Sequence, residues 1–178
     1  VDEAVAIRQL KRFVADWVLE NDEERTSAKI SPRIPTAKGK RVAIIGAGPA
    51  GMTVADRLAR LGYRISVFEK MPLIAGMLSV GIPAYRLPRE VIEREYSHFQ
   101  ELGIDIRLNT EIGPNGRHTL ADLLRDGYDA VCVAIGAHRS LRLGIPGENL
   151  TGVIQGIELL KTISLSQQLE DSDHKAAL

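Results

Sequence analysis

Short apolar runs alternate with segments of helical periodicity through the middle of the chain, and this alternation is the strongest structural signal in the sequence. Four runs have the composition of buried strands, and they lie at residues 42–45, in the segment that ends at Glu69, and at residues 104–108 and 128–135. Between them, apolar residues recur at helical spacing, in segments at residues 49–62, 88–102 and 119–126. In the last of these segments, Thr119 and Asp122 have the spacing of a capping pair. Strands that alternate with helices predict an α/β fold with a parallel, doubly wound sheet.

A helix is also predicted towards each end of the chain. At residues 2–20 five apolar residues share one helical face, and they are Ala6, Leu10, Phe13, Val14 and Trp17. We expect this face to pack against a core, with docking to a partner domain as the alternative. A polar linker with two prolines follows at residues 21–39. The last predicted helix lies at residues 156–168.

The segment at residues 71–87 has no regular period, because glycines and prolines interrupt it, yet most of its other residues are apolar. A surface loop of this length is ordinarily more polar. We therefore expect the segment to cover a large ligand or an adjoining domain.

Three glycines follow the first strand in the spacing G-x-G-x-x-G, at Gly46, Gly48 and Gly51. The first permits a tight turn from strand to helix, the second lets a pyrophosphate approach the backbone, and the third lets the helix pack closely on the strand. The free amides and the dipole at the start of the next helix favour a diphosphate. The motif therefore predicts a dinucleotide site in a Rossmann-like sheet.

An acidic residue, Glu69, ends the second strand of this unit. Its carboxylate is placed to accept hydrogen bonds from the ribose hydroxyls of an adenosine. The same negative charge would repel the 2′-phosphate of NADP at close range. FAD and NAD both remain compatible with the motif.

The amino-acid composition excludes several classes of function for this chain. Lys plus Arg and Asp plus Glu number 23 each, and this balance argues against nucleic acid as the main partner. No apolar stretch reaches the roughly 20 residues that span a bilayer, and no signal-peptide pattern is present. The single cysteine, Cys132, argues against a zinc or iron–sulfur site built from this sequence, so no metal site is predicted. We expect a cytoplasmic protein.

Four sequence blocks occur together and in order, namely G-A-G-P-A-G, V-F-E-K, A-G-M-L…G-I-P-A-Y-R-L-P and Y-D-A-V-C-V-A-I-G-A-H. Together they resemble the FAD domain of the glutamate synthase small (β) subunit, and of dihydropyrimidine dehydrogenase and related NAD(P)H:iron–sulfur flavoproteins. The resemblance covers residues 1–160 approximately. It implies an FAD cofactor that NAD(P)H reduces, and electrons that leave through iron–sulfur clusters outside this chain.

The resemblance also implies one cofactor site, carried over residue by residue. The glycine turn would hold the FAD pyrophosphate, Arg86 would supply a cation to the cofactor, and Ile112 would present its backbone to the adenine. No catalytic side chain is assigned, because hydride transfer to a flavin needs no acid or base from the protein. The family usually has a glycine where this sequence has Ala75. The site residues implied are Gly46, Ala47, Gly48, Pro49, Ala50, Gly51, Glu69, Lys70, Gly76, Met77, Arg86, Ile112 and Gly136.

The same resemblance implies a division of the chain into three regions. Residues 1–39 would be the tail of a helical iron–sulfur domain, residues 40–150 the first half of an FAD-binding domain, and residues 151–178 a helix leading to an NAD(P)-binding domain. The expected partners are that iron–sulfur domain or subunit and the NAD(P)-binding domain, with neither nucleic acid nor membrane. Because the sequence contains neither partner domain, we expect an incomplete FAD domain that is inactive in isolation.

Two other functions stay open at this stage. A plain NAD-binding module would satisfy the glycine motif, although it has no evident use for the apolar segment at residues 71–87. A non-catalytic assembly subunit, or a fragment without bound cofactor, would account for the missing second dinucleotide domain.

Overall fold

The chain divides into two compact units, Val1–Arg33 and Ile34–Leu178. The computed structural model describes residues 4–21, 39–114, 116 and 118–176. Within the first unit, the described part contains the helix α1, Ile7–Glu20. The elements of the second unit are, in chain order, β1 Arg41–Ile45, α2 Pro49–Arg60, β2 Arg64–Phe68, α3 Met77–Val80, α4 Arg89–Glu101, β3 Asp105–Arg107, α5 Leu120–Arg125, β4 Ala130–Val133 and α6 Gly156–Ala176.

The four strands form one parallel sheet in the order β3-β2-β1-β4. At the carboxyl end of β1, Ile45 stands opposite Phe68 of β2 on one side and Val133 of β4 on the other. The chain thus leaves β1 towards β2 and returns later to the other side of β1, which makes the end of β1 a switch point where α/β sheets bind ligands. The predicted fold class is confirmed: a parallel α/β sheet of the Rossmann-like type, preceded by a helical segment.

Successive residues of the strands point to opposite faces of the sheet and build two cores. On one face, Ile44 and Val67 pack with side chains of α2 and α4. On the other face, Ile45 and Phe68 pack with Leu123 of α5. Burying one such aliphatic side chain contributes about 1.5–3 kcal/mol to stability. The two cores hold the carboxyl ends of the strands in place, and these ends carry the site.

The strand predicted at residues 128–135 is shorter than expected and is not buried on both faces. It spans Ala130–Val133 and lies at the edge of the sheet, where Val133 keeps 57% of its surface exposed. An apolar run identifies a strand but does not specify its neighbours, so the prediction of a fully buried strand is wrong.

The helix predicted at residues 2–20 is confirmed over Ile7–Glu20, while residues 1–3 lie outside the described part. Within the described part of its own unit nothing covers its apolar face, since Leu10, Phe13 and Trp17 keep between 56% and 67% of their surface exposed. Helical spacing shows which face is apolar and not what covers it. The predicted linker lies almost wholly outside the described residues.

Two further segments differ from the sequence-based expectation. The irregular segment at residues 71–87 contains the short helix α3, Met77–Val80, and α6 continues to Ala176, beyond the predicted end at residue 168. Within the described part of the chain, no helix has the length and apolar character that crossing a membrane requires.

The helix α5 begins with the capping pair that its sequence predicts. The backbone amide of Thr119 donates to Oδ2 of Asp122 at 2.7 Å, and the amide of Asp122 donates to Oγ1 of Thr119 at 3.3 Å. The hydrogen bonds from Thr119, that of its backbone amide above all, lower the pKa of the Asp122 carboxyl.

Replacing Asp122 by asparagine is expected to lower stability at neutral pH, with a difference that disappears in acid. The folded pKa of Asp122 lies below that of an unfolded aspartate, about 3.9. The charge therefore stabilises the fold above the unfolded pKa, and this contribution is lost as pH falls through the folded pKa. Thermal midpoints of the wild type and D122N should converge between neutral and strongly acidic pH. A constant difference would show that the charge does not contribute.

Candidate functional site

A cleft of about 750 Å³ opens at the carboxyl ends of the four strands. Its walls are the loops that follow β1, β2, β3 and β4, together with one side chain from α6. Its volume is typical of small-molecule and cofactor sites. With strands about 4.8 Å apart, four strand ends span roughly 14 Å, so the cleft suits an extended ligand.

The structure brings ten of the thirteen predicted site residues together in this cleft. Of the other three, Ala47 and Gly51 are buried beneath its surface, while Arg86 is exposed and does not line it. The binding roles of all thirteen stay predictions. The ten lining residues are Gly46, Gly48, Pro49, Ala50, Glu69, Lys70, Gly76, Met77, Ile112 and Gly136.

The three motif glycines have different structural reasons to lack a side chain. A Cβ on Gly46 would lie 2.3 Å from the carbonyl oxygen of Ala134, and a Cβ on Gly51 would lie 2.0 Å from the carbonyl oxygen of Gly46. A Cβ on Gly48 would meet no protein atom within 4 Å. The fold thus requires the first and third glycines, whereas the open space at Gly48 belongs to the cleft.

The chain after β2 folds back over the glycine turn. Gly76 has φ +53° and ψ −125°, and a Cβ there would lie 3.2 Å from Cα of Gly48. The preceding Ala75 is buried with φ +71°, and its amide donates to the carbonyl oxygen of Ala47 at 2.9 Å. An alanine thus adopts a left-handed conformation that costs about 1–2 kcal/mol. The close approach between the two segments is kept despite the missing glycine.

Glu69 connects the glycine turn to the chain that follows β2. It is 7% exposed, and its two carboxylate oxygens accept backbone amides: Oε2 from Ala47 and Oε1 from Met71, both at 2.8 Å. Each oxygen keeps further lone-pair capacity, and Glu69 lines the cleft. The carboxylate therefore holds the turn in shape, a role that sequence reasoning missed, while its contact with a ribose stays a prediction.

A second support of the turn, Tyr96 of α4, was not among the predicted site residues. Its hydroxyl donates to the carbonyl oxygen of Ala47 at 2.9 Å from a side chain that is 7% exposed. Burial, with the nearby charge of Glu69 as a lesser cause, raises the pKa of the Tyr96 hydroxyl far above its ordinary value. The hydroxyl stays protonated at every physiological pH. The helical pattern places this residue on the buried side of α4, but nothing in it indicates the hydrogen bond.

Replacing Tyr96 by phenylalanine is expected to destabilise the protein by about 1 kcal/mol, the usual net value of one hydrogen bond. The cost stays modest because the amide of Ala75 still donates to the carbonyl oxygen of Ala47. Urea unfolding measures the change. Tyr85, which is 86% exposed, provides the control, since Y85F should leave stability unchanged. Equal effects of Y96F and Y85F would contradict this role for Tyr96.

Charged groups lie at both ends of the cleft. At the β2 and β3 end, Nζ of Lys70 forms an ion pair with Oε1 of Glu111 at 2.8 Å. At the β4 end lies Arg139, and Lys161 enters from α6. Sequence reasoning missed these last two residues, because no motif relates α6 to the glycine turn. Among the described residues, no group of three or more His, Cys, Asp or Glu side chains is placed to hold a metal ion.

A glycine turn at the switch point of a parallel sheet, a buried acid behind it and an elongated cleft in front define a dinucleotide-binding domain. Comparison with known proteins gives the family. Residues 40–175 match the model of the pyridine nucleotide-disulphide oxidoreductase family. The chain belongs to this family.

Curated relatives include proteins of the kind that the sequence blocks resemble. The chain is 42% identical over 185 aligned residues to the NADP(+)-dependent formate dehydrogenase subunit beta of Moorella thermoacetica, covering 94% of this chain and 26% of the relative. It is 40% identical over 157 residues to the glutamate synthase [NADPH] small chain of Escherichia coli K12, covering 88% and 32%. The predicted resemblance to the glutamate synthase small-subunit family is confirmed.

Solved structures share the fold. FprA from Mycobacterium tuberculosis in complex with NADPH superposes with a TM-score of 0.60 at 25% identity, over 68% of this chain and 28% of that protein. A 2-naphthoyl-CoA reductase in complex with 2-naphthoyl-CoA superposes with a TM-score of 0.58 at 26% identity, over 75% and 20%. The chain spans between a fifth and a third of the length of these four proteins.

Proposed function

We propose that the cleft binds FAD, and that this chain is the FAD-binding part of an NAD(P)H-dependent oxidoreductase of the glutamate synthase small-subunit type. The observation that carries the proposal is the open backbone at Gly48, which lies in a cleft of about 750 Å³. An extended dinucleotide needs both features. The apolar segment that folds over the turn at Gly76 and Met77 favours FAD over NAD, since a flavin offers a large ring system to cover.

The residues of the cleft would bind and orient the cofactor. The open side of Gly48 and the amides at the start of α2 would accept the pyrophosphate. Glu69 would hold the ribose with the lone pairs that its two backbone hydrogen bonds leave free, and Ile112 would contact the adenine. The chemistry that a bound flavin supplies is hydride acceptance and release of single electrons. No side chain of this chain has to move a proton.

The electron donor and acceptor would be held by other parts of the whole protein. Both curated relatives described above carry NADP(+) or NADPH in their names, which supports NADPH as the donor. The carboxylate of Glu69 disfavours a 2′-phosphate in this cleft, so we place the donor in a separate NAD(P)-binding domain. We also propose that an iron–sulfur domain or subunit accepts the electrons. The proposal further includes region boundaries at residues 39 and 150 and a cytoplasmic location. The free thiol of Cys132 fits that location.

Titration of the purified chain with FAD, NADH and NADPH tests the proposal. Quenching of flavin fluorescence should show one FAD bound per chain, and neither nicotinamide dinucleotide should compete at similar concentration. Binding of NADH without binding of FAD would instead identify a plain NAD-binding module. A chain that binds none of the three would fit an assembly subunit, and the proposal would be wrong.

A further inference from the structure

The residues assigned from the sequence leave the charge of a bound diphosphate incompletely balanced. The diphosphate of a dinucleotide carries two negative charges, and a helix N-terminus offers about half a positive charge. Lys70 is already paired with Glu111, and Glu69 adds a further negative charge beside the turn. Arg86 is exposed and lies outside the cleft. Other cations near the phosphates would reduce this imbalance.

Two cations line the cleft without a hydrogen bond or ion pair to any residue that the structure describes. They are Arg139, in the loop after β4, and Lys161, on α6. The side chain of Arg139 is exposed, whereas Lys161 is half-buried. The half-buried side chain of Lys161 is screened less by solvent than the exposed side chain of Arg139. An anion in the cleft would therefore interact more strongly with Lys161 than with Arg139.

The packing of α6 explains how Lys161 reaches the cleft. A Cβ on Gly81, just after α3, would lie 3.3 Å from Cδ1 of Ile157 of α6, so the two helices are in contact there. Lys161 follows Ile157 by four residues and therefore lies on the same face of α6. Ser164, three residues further along that face, is 4% exposed. The buried face of α6 thus points Lys161 towards the site.

The helix α3 provides the link from α6 to the glycine turn. It begins directly after Gly76, the residue whose Cβ would lie 3.2 Å from Cα of Gly48. Gly48, Gly76 and Lys161 line one cleft. A diphosphate that approaches the open backbone of Gly48 would therefore lie in the same cleft as the Lys161 side chain, where partial burial reduces the screening of a charge.

We propose that Lys161 is a phosphate-binding residue of the dinucleotide site, and that Arg139 is a second, more screened cation of the same subsite. The proposal rests on the proposed function, since it assigns a role at the same cleft. It adds that α6 is part of the binding site. Cofactor binding should accordingly stabilise the packing of α6 against α3.

Charge-removing variants of two lysines test the assignment in the full chain. K161Q is expected to weaken binding of FAD and of ADP by about tenfold, while K161R stays within about threefold of the wild type, because it keeps the charge. Lys40 is the matched control, since it lies next to the amino end of β1, at the end of the strands opposite the cleft, and is exposed. K40Q should leave both affinities unchanged. The difference in FAD affinity between K161Q and the wild type should become smaller as the salt concentration rises from about 0.05 M to about 0.5 M.

A neutral ligand separates a phosphate contact from a structural effect. K161Q should leave the affinity for adenosine, measured by competition with FAD, as it is in the wild type. Equal losses for adenosine and ADP, or equal affinities of K161Q and K40Q for FAD, would overturn the role of Lys161 while the proposed function stands. A wild-type chain that binds neither FAD nor ADP would instead contradict the proposed function itself.

Discussion

Replacing Gly48 by alanine is expected to weaken binding of FAD by at least about a hundredfold, which corresponds to about 2.7 kcal/mol, and to leave the fold intact. A Cβ at this position meets no protein atom within 4 Å, and the backbone has φ −74°, which alanine adopts without strain. The added methyl would occupy the space through which a pyrophosphate approaches the backbone. Stability should change by no more than about 1 kcal/mol, the usual size of an N-cap effect.

The neighbouring Gly51 provides the contrasting variant. Its Cβ would lie 2.0 Å from the carbonyl oxygen of Gly46, so G51A should destabilise the protein by more than about 3 kcal/mol or prevent folding. Fluorescence titration with FAD and urea unfolding measure the two quantities. Retention of wild-type FAD affinity by G48A would show that the pyrophosphate does not approach this backbone.

Replacing Glu69 by glutamine is expected to destabilise the protein by about 2–4 kcal/mol and to weaken cofactor binding as well. Both carboxylate oxygens accept backbone amides, from Ala47 and Met71, within a buried site. The NH₂ group of a glutamine would face one of these amides as donor against donor and leave it without a partner. The second hydrogen bond would also lose its charge assistance.

Glu111 offers a matched control for this variant, because it lies in the same cleft and also carries a carboxylate. Its ion pair with Lys70 is exposed, with 41% of the Glu111 side-chain surface accessible. Such pairs contribute about 0–1 kcal/mol, so E111Q should have little effect on stability. Urea unfolding of both variants measures the difference between their free energies of unfolding. Equal stabilities of E69Q and E111Q would contradict a structural role for Glu69.

The features that sequence alone predicts correctly depend on short-range constraints. The glycine turn is one in part, because Gly51 is required by its contact with Gly46 within a single strand–turn–helix unit, whereas Gly46 is required by the distant backbone of Ala134. The capping pair Thr119 and Asp122 is another, since both partners lie within one helical turn. In each case the residue type and its spacing determine the local geometry.

The features that sequence reasoning misses depend on contacts between distant segments. The hydroxyl of Tyr96 reaches Ala47 across 49 positions of the chain, and Lys161 enters the cleft only because α6 packs against α3. The edge position of β4 follows from which strands pair, and an apolar run carries no such information. Glu69 has one feature that the sequence predicts and one that it does not. Its place after β2 predicts the ribose contact, but its two amide partners become visible only in the folded chain.

The central claim, that this cleft is an FAD site, is tested most directly by native mass spectrometry of the chain with FAD, NAD⁺ and NADP⁺ present together at equal concentration. A complex that contains one FAD per chain and neither nicotinamide dinucleotide is the predicted result. The same complex should be strongly reduced for G48A, which we expect to keep its fold. A complex with NAD⁺ or NADP⁺ in place of FAD, or the free chain alone, would contradict the claim.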